Sequence, residues 1–192
     1  MPRLVLASTS TFRRELLAKL QIPFETAAPD CDETPVAGEL PEETAERLAH
    51  AKAASIAADF PDSLIIGSDQ VACIGTSVFG KPGNKIVATQ QLTQMRGRKV
   101  LFHTGLCLLN TATGTAQRAG ITTAVSFRNL TDKEIERYLE REDALNCAGS
   151  AKSEGLGIAL LDYIRGDDPN ALVGLPLIAL CAMLRQEGIS VP

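Results

Sequence analysis

The chain has 192 residues, 45% of them hydrophobic and 22% charged, so it can bury a core, and disorder is excluded as its main state. A net charge of −4, an aromatic content of 4% and no Trp argue against a nucleic-acid polymer as partner, since that requires a basic stripe and stacking platforms. The five cysteines (Cys31, Cys73, Cys107, Cys147 and Cys181) form no CxxC, and neither His50 nor His103 falls in a metal-ligand motif, which fits free thiols in a reducing cytosol.

Residues 4–7 read as a short buried strand, too short for the core of a signal peptide. A helix follows to about Leu20, with Ser10 as N-cap and Phe12, Leu16 and Leu20 on one face. Residues 27–40, rich in acids and prolines, read as loop. Pro41 then opens a long helix to about Asp59, with Glu42 and Glu43 in its first turn. Residues 64–66 form a buried strand that resumes at residues 71–74, and Gly80-Lys81-Pro82-Gly83 is a turn. A helix over 86–95 leads to strands over 100–109 and 120–127. Thr131 and Glu134 form a capping box for a helix ending near Arg141. The last helix, over 175–185, is almost wholly apolar and is expected to be deeply buried. The apolar stretch around it, interrupted by Gly174 and Pro176, falls short of a membrane span, so a cytoplasmic chain with no membrane association is expected. The mixture of alternating helices and hairpin-like strands predicts an α/β fold with a mixed sheet, in one domain over 1–192.

Several segments carry candidate chemistry. Ser8-Thr9-Ser10-Thr11-Phe12-Arg13-Arg14 follows the first strand, where free N–H groups and the helix dipole favour an anion and Arg grips phosphate; a capped surface helix with solvated arginines is the plain alternative. Lys52 falls on the apolar face of its helix with Ala45, Leu48, Ala49 and Ile56. A lysine there either snorkels to the edge or points into an anion-holding cleft, and the cleft is favoured. Asp69, after the apolar run 64–67, sits where a strand end would place a metal ligand or general base. Asp32 and Glu33 become informative only if they pair in space with Asp69, where they would suit Mg²⁺.

Together the segments Ala7-Ser8-Thr9-Ser10 with Arg13-Arg14, Asp32-Glu33-Thr34-Pro35, Ala51-Lys52-Ala53, Ile66-Gly67-Ser68-Asp69-Gln70, Gly80-Lys81-Pro82 and Asn170 with Val173-Gly174-Leu175-Pro176 resemble the Maf family of nucleotide pyrophosphatases. Cys147-Ala148-Gly149-Ser150 and Lys152-Ser153-Glu154-Gly155 are similar to its 7-methyl-GTP branch. The resemblance implies an elongated mixed sheet in two lobes with a central cleft, a divalent cation (Mg²⁺ or Mn²⁺), and a homodimer. It implies hydrolysis between the α- and β-phosphates, with Asp69 and Glu33 catalytic and holding the metal. Ser8, Arg13, Lys52 and Lys81 would bind the triphosphate, and Phe12, Gln70 and Glu154 would select the base. Alternatives are a dTTP or UTP pyrophosphatase, or a nucleotide-sensing regulator of cell division without turnover. The chain departs from the branch in having Phe12 where Trp is usual and Thr11 where Pro is usual.

Overall fold

The computed structural model describes residues 2–191. Strand β1 (Arg3–Ala7) leads into helix α1 (Thr11–Ala18), followed by β2 (Glu25–Ala27), α2 (Pro41–Ser55), β3 (Ser63–Ile74) and β4 (Ser77–Phe79). Then come α3 (Lys85–Met95), β5 (Lys99–Asn110), β6 (Thr115–Phe127), α4 (Asp132–Arg141), β7 (Leu161–Arg165) and α5 (Leu177–Gln186). The seven strands form one mixed sheet in the order β2-β1-β3-β5-β6-β7, with β4 also on β3. The β1–β2 and β1–β3 pairs are parallel and the others antiparallel.

The long strands β3, β5 and β6 make a ribbon with a helix layer on each face. Side chains alternate between the faces of a strand. On one face, Leu64 and Ile66 join Leu106 and Leu108 in an apolar cluster covered by α1 and α5. Further along the same face, Ala72, Phe102, Val125 and Phe127 join a second cluster covered by α3 and α4. The residues between them on that face, Ser68, Gln70 and Thr104, are polar, so two lobes are parted by a polar strip.

On the opposite face α2 lies directly on the ribbon. A Cβ at Gly67 would sit 2.0 Å from the Ala49 carbonyl, and one at Gly105 would sit 2.1 Å from that of Ala45, so only glycine permits this approach. Pro41 at the first turn and Glu42 and Glu43 beside it start α2 as expected. Thr131 and Glu134 cap α4 reciprocally, as the capping box requires.

Three features depart from the sequence reading. Asp69 lies in the middle of the 12-residue β3, opposite Gly105, and not at a strand end. What ends there is the neighbour: β1 pairs with β3 only up to Ile66, and β4 takes over the same edge at Ala72. The backbone of Gly67–Val71 therefore faces an opening in the sheet. The second departure is α5, which covers only one side of its cluster and leaves Ile178 58% exposed. The third is the short strands β2, β4 and β7, of three, three and five residues, which carry no legible alternation. Among the described residues no helix is long and apolar enough to cross a membrane.

Candidate active site

The opening beside Gly67–Val71 collects most of the expected residues. The turn after β1 reaches it from one end. There Ser10 caps α1 by accepting the Arg13 N–H at 3.4 Å, and the Ser8 hydroxyl accepts the Ser10 N–H at 3.1 Å. Ser8 is thereby held, buried, just beyond the last β1 residue. Register places the turn after β4 at the other end, since β4 runs antiparallel to β3 from Ile74 back toward Ala72. That turn carries Lys81, which is exposed; its Gly80 carbonyl accepts from Gly149 N–H and from the Gln91 amide. No hydrogen bond or ion pair joins Lys81 to Asp69 among the described residues.

Helix α2 supplies the centre. Lys52 shares a face with Ala45, Leu48 and Ala49, so packing of α2 on β3 drives its side chain to the sheet. Its ammonium bonds Asp69 Oδ1 at 2.5 Å and pairs with Glu33 Oε1 at 3.0 Å. Lys52 and Asp69 are 7% and 9% exposed, so the lysine does not snorkel. A pair this dry persists only because each charge neutralises the other.

Glu33 comes from the acidic loop, which α2 ties down. Arg47 bonds the Glu39 carboxylate at 2.6 and 2.8 Å and the Thr34 carbonyl at 3.3 Å. These bonds to Arg47 hold the Glu39 carboxyl down at about 2. Asp32, considered alongside Glu33, does not join the cluster: its Oδ1 accepts the Thr34 N–H at 2.8 Å and closes a turn.

Arg13 approaches the same part of the sheet from the α5 side. Its Nε–H donates to the Gly174 carbonyl at 2.8 Å, on the side of α5. Burial lowers its pKa from the ordinary guanidinium value, while the charges of Asp69 and Glu33 oppose that shift. An ammonium and two carboxylates thus meet at one edge of the sheet, with the guanidinium of Arg13 near enough to feel both carboxylates.

This donor set bears on a metal. Among the described residues no group of three or more His, Cys, Asp or Glu side chains is placed to hold an ion. Mg²⁺ is held by as few as one or two carboxylates when substrate phosphates supply further oxygens. Asp69 and Glu33 are two hard oxygen ligands converging on one point, presently on Lys52, so they fit such an ion arriving with its substrate.

A cleft of about 420 Å³ opens between the lobes, walled by Ile164, Leu172 and Val173 and carrying Ser153, Glu154 and Thr123. Its size suits a small-molecule ligand. Glu154, an expected base selector, is exposed on this wall. Phe12 is half-buried and belongs to none of the apolar clusters; instead the Lys152 ammonium lies 5.7 Å from its ring centroid. Gln70 does not line the cleft. Its amide donates to Thr104 Oγ1 and to the Ala171 and Leu172 carbonyls, all at 3.0 Å, so it fixes the turn that forms one wall.

The sequence reading missed the support of the Glu154 loop. Glu142, at the end of α4, bonds Lys152 Nζ at 2.9 Å and the Leu156 N–H at 2.7 Å. The Tyr138 hydroxyl accepts the Lys152 N–H at 3.1 Å. A glutamate after a helix carries no sequence signal for such a task.

The family model for Maf-like proteins matches residues 3–187. The chain belongs to the Maf family. A protein from Aromatoleum aromaticum is 56% identical over 190 residues, covering 99% of this chain and 98% of its own length. One from Methylobacillus flagellatus is 54% identical over 191 residues and 100% of both chains. One from Cupriavidus pinatubonensis is 57% identical over 188 residues, covering 98% of this chain and 94% of its own. All three bear the name 7-methyl-GTP pyrophosphatase. Membership of this family accords with the mixed sheet flanked by helices.

Proposed function

We propose that this Maf protein hydrolyses 7-methyl-GTP to 7-methyl-GMP and pyrophosphate. The observation that carries the reading is the buried Lys52–Asp69 pair, joined by Glu33, at the open edge of β3; a cleft of nucleobase scale opens between the lobes on the face that carries Thr123 and Leu172. The identity of more than half the residues with proteins of that name supports the choice of substrate.

In this reading the base enters the cleft and the triphosphate lies along the open edge. Asp69 takes a proton from the attacking water, a new P–O bond forms at the α-phosphorus, and the bond to the α,β-bridging oxygen breaks. Lys52 holds the Asp69 carboxylate in place and, with Arg13 and Lys81, faces the charge that grows on the departing pyrophosphate. Ser8 lies at the N-terminus of α1, where backbone N–H groups receive phosphate oxygens. Asp69 and Glu33 would hold a Mg²⁺ or Mn²⁺ ion, which when bound neutralises phosphate charge.

Base choice follows from charge as well. Glu154, when ionised, only accepts hydrogen bonds, which suits the N–H edge of guanine and opposes the carbonyl oxygens of a pyrimidine. The methylated ring is cationic, and an aromatic face such as that of Phe12 attracts it by roughly 0.5–2 kcal/mol. Gln70 acts at one remove, by setting the wall at Leu172. The five free cysteines suit the cytoplasm, and a homodimer is the assembly that the family resemblance implies.

The test is pyrophosphate release from 7-methyl-GTP, GTP, ATP, UTP and dTTP, with Mg²⁺, with Mn²⁺ and with chelator, for the native chain and Asp69→Asn. We expect release from 7-methyl-GTP to be fastest, to need the cation, and to fall about 10²–10⁴-fold in the variant. Preference for UTP or dTTP would keep the reaction and remove the roles of Phe12 and Glu154. Tight binding without release from any substrate would favour a nucleotide-sensing regulator.

A further inference from the structure

Among the described residues, one buried side-chain polar atom has no hydrogen-bond partner: the hydroxyl oxygen of Thr123. Thr123 is 1% exposed. Buried hydroxyls are nearly always satisfied, so an unsatisfied one asks for a cause. Its position supplies one. Thr123 lies in β6 opposite Phe102, on the face of the sheet that carries Gln70 and Thr104, and it lines the inter-lobe cleft with Glu154 and Leu172.

The two polar groups differ in what they offer. A threonine hydroxyl donates one hydrogen bond and accepts others, whereas an ionised Glu154 only accepts. A ligand that answers both presents an acceptor to Thr123 and neighbouring donors to Glu154. Guanine has that order along one edge: the O6 acceptor, then N1–H, then the 2-amino group. Adenine has an amino group at the first place and an unprotonated nitrogen at the second, where it would meet the Glu154 carboxylate. Uracil and thymine end on a carbonyl where guanine has its amino group, again facing Glu154.

We propose that Thr123 is a base-binding residue of the nucleotide site, donating its hydroxyl hydrogen to O6 of the guanine ring while Glu154 accepts from N1–H and the 2-amino group. This rests on the nucleotide reading of the site given above. It adds a floor contact that no sequence motif marks, and it makes guanine recognition two-sided. Methylation at N7 leaves this edge free, so the contact serves GTP and 7-methyl-GTP alike. Phe12 is left to separate those two by charge.

The experiment compares the native protein with Thr123→Val, which keeps the shape and removes the hydroxyl, and Thr123→Ser, which keeps the hydroxyl. Steady-state release of pyrophosphate is measured with 7-methyl-GTP, GTP and 6-thio-GTP, whose sulfur is a weaker acceptor than O6. Thr123→Val is expected to raise KM for 7-methyl-GTP and GTP about tenfold with kcat within about twofold, the size of one lost hydrogen bond. Thr123→Ser should stay near the native values. The native protein should bind 6-thio-GTP more weakly than GTP, and that difference should vanish in Thr123→Val. Melting temperature should not fall in Thr123→Val, since no partner is lost. An unchanged KM in Thr123→Val, with an active native enzyme, would overturn the Thr123 contact and leave the reaction standing. A native protein that releases no pyrophosphate from any guanine nucleotide would overturn both.

Discussion

Lys52 and Lys152 each bond a carboxylate, at 2.5 and 2.9 Å, but the two pairs are completed in different ways. Around Lys52 the surplus is charge: a second carboxylate, Glu33, at 3.0 Å and the guanidinium of Arg13 nearby. Around Lys152 the surplus is taken up by backbone. Glu142 accepts the Leu156 N–H with its second oxygen, and Tyr138 accepts the Lys152 N–H. The first arrangement keeps several ionised groups on an open sheet edge, where an arriving ligand exchanges partners with them. The second closes its valences on the chain itself and fixes a loop. An ion pair alone therefore does not mark a site; what marks it is charge left over once the pair is made.

Lys52→Met breaks the first pair and should have the largest effect. It leaves Asp69 buried without its cation, at a cost of about 3 kcal/mol in unfolding free energy. Pyrophosphate release should fall with it. The double variant Lys52→Met/Asp69→Leu sharpens the comparison, because replacing both partners with apolar groups of similar size is near neutral or stabilising. Denaturant unfolding should show stability recovered in the double variant while activity stays absent. If stability does not return, the cluster is part of the scaffold and the contrast between the two pairs collapses.

Glu142→Gln tests the second pair more gently. The amide oxygen still accepts the Leu156 N–H, while the NH2 that replaces the other oxygen cannot accept from the ammonium, so the charged bond to Lys152 is the one lost. A loss of about 1 kcal/mol is expected in denaturant unfolding. In the proposed reaction, kcat should hold and KM for guanine nucleotides should rise a few-fold, as the loop bearing Glu154 loosens. A fall in kcat as large as that of Lys52→Met would place Glu142 in the reacting centre.

The two pairs also differ in how far the sequence announces them. Lys52 is legible because a lysine interrupts the apolar face of α2, a pattern that packing alone does not favour. Asp69 is legible as a carboxylate inside an apolar run, although its place in mid-strand is not, because the early end of β1 is a tertiary event. Glu33 emerges only through the family resemblance; nothing in an acidic loop says which carboxylate Lys52 will take. Glu142 and Thr123 are silent. A glutamate closing a polar helix and a threonine in an alternating strand look ordinary until the backbone around them is placed. The mixed sheet follows from the element pattern, while β2, β4 and β7 depend on neighbours that are distant in sequence. Gln70 illustrates a halfway case: its position is legible, but its amide serves the wall of the cleft and not the cleft directly.

The smallest effect expected concerns acid, and it reaches the first pair through its loop. Glu39 grips Arg47, which in turn holds the Thr34 carbonyl next to Glu33. The bond to Arg47 is the main cause that brings the Glu39 carboxyl to about 2. On the far lobe the Thr131 N–H leads, with Arg128, in bringing Glu134 to about 2. Both values are depressed from the ordinary 4.5, so each group binds its proton more readily in the unfolded chain. Their contribution is therefore complete above about pH 5, shrinks below the ordinary carboxylate pKa of about 4.5, and is gone once the pH passes the folded value. Melting temperature should be level from neutral pH to about 5 and fall from there toward pH 2. Glu39→Gln should lower it at neutral pH and make the acid limb shallower, so that the two curves converge as the pH drops. Glu134→Gln should do the same for the far lobe but leave KM alone, whereas Glu39→Gln should raise KM slightly by freeing the loop that carries Glu33. Curves that stay parallel into acid would mean that neither carboxylate titrates with folding.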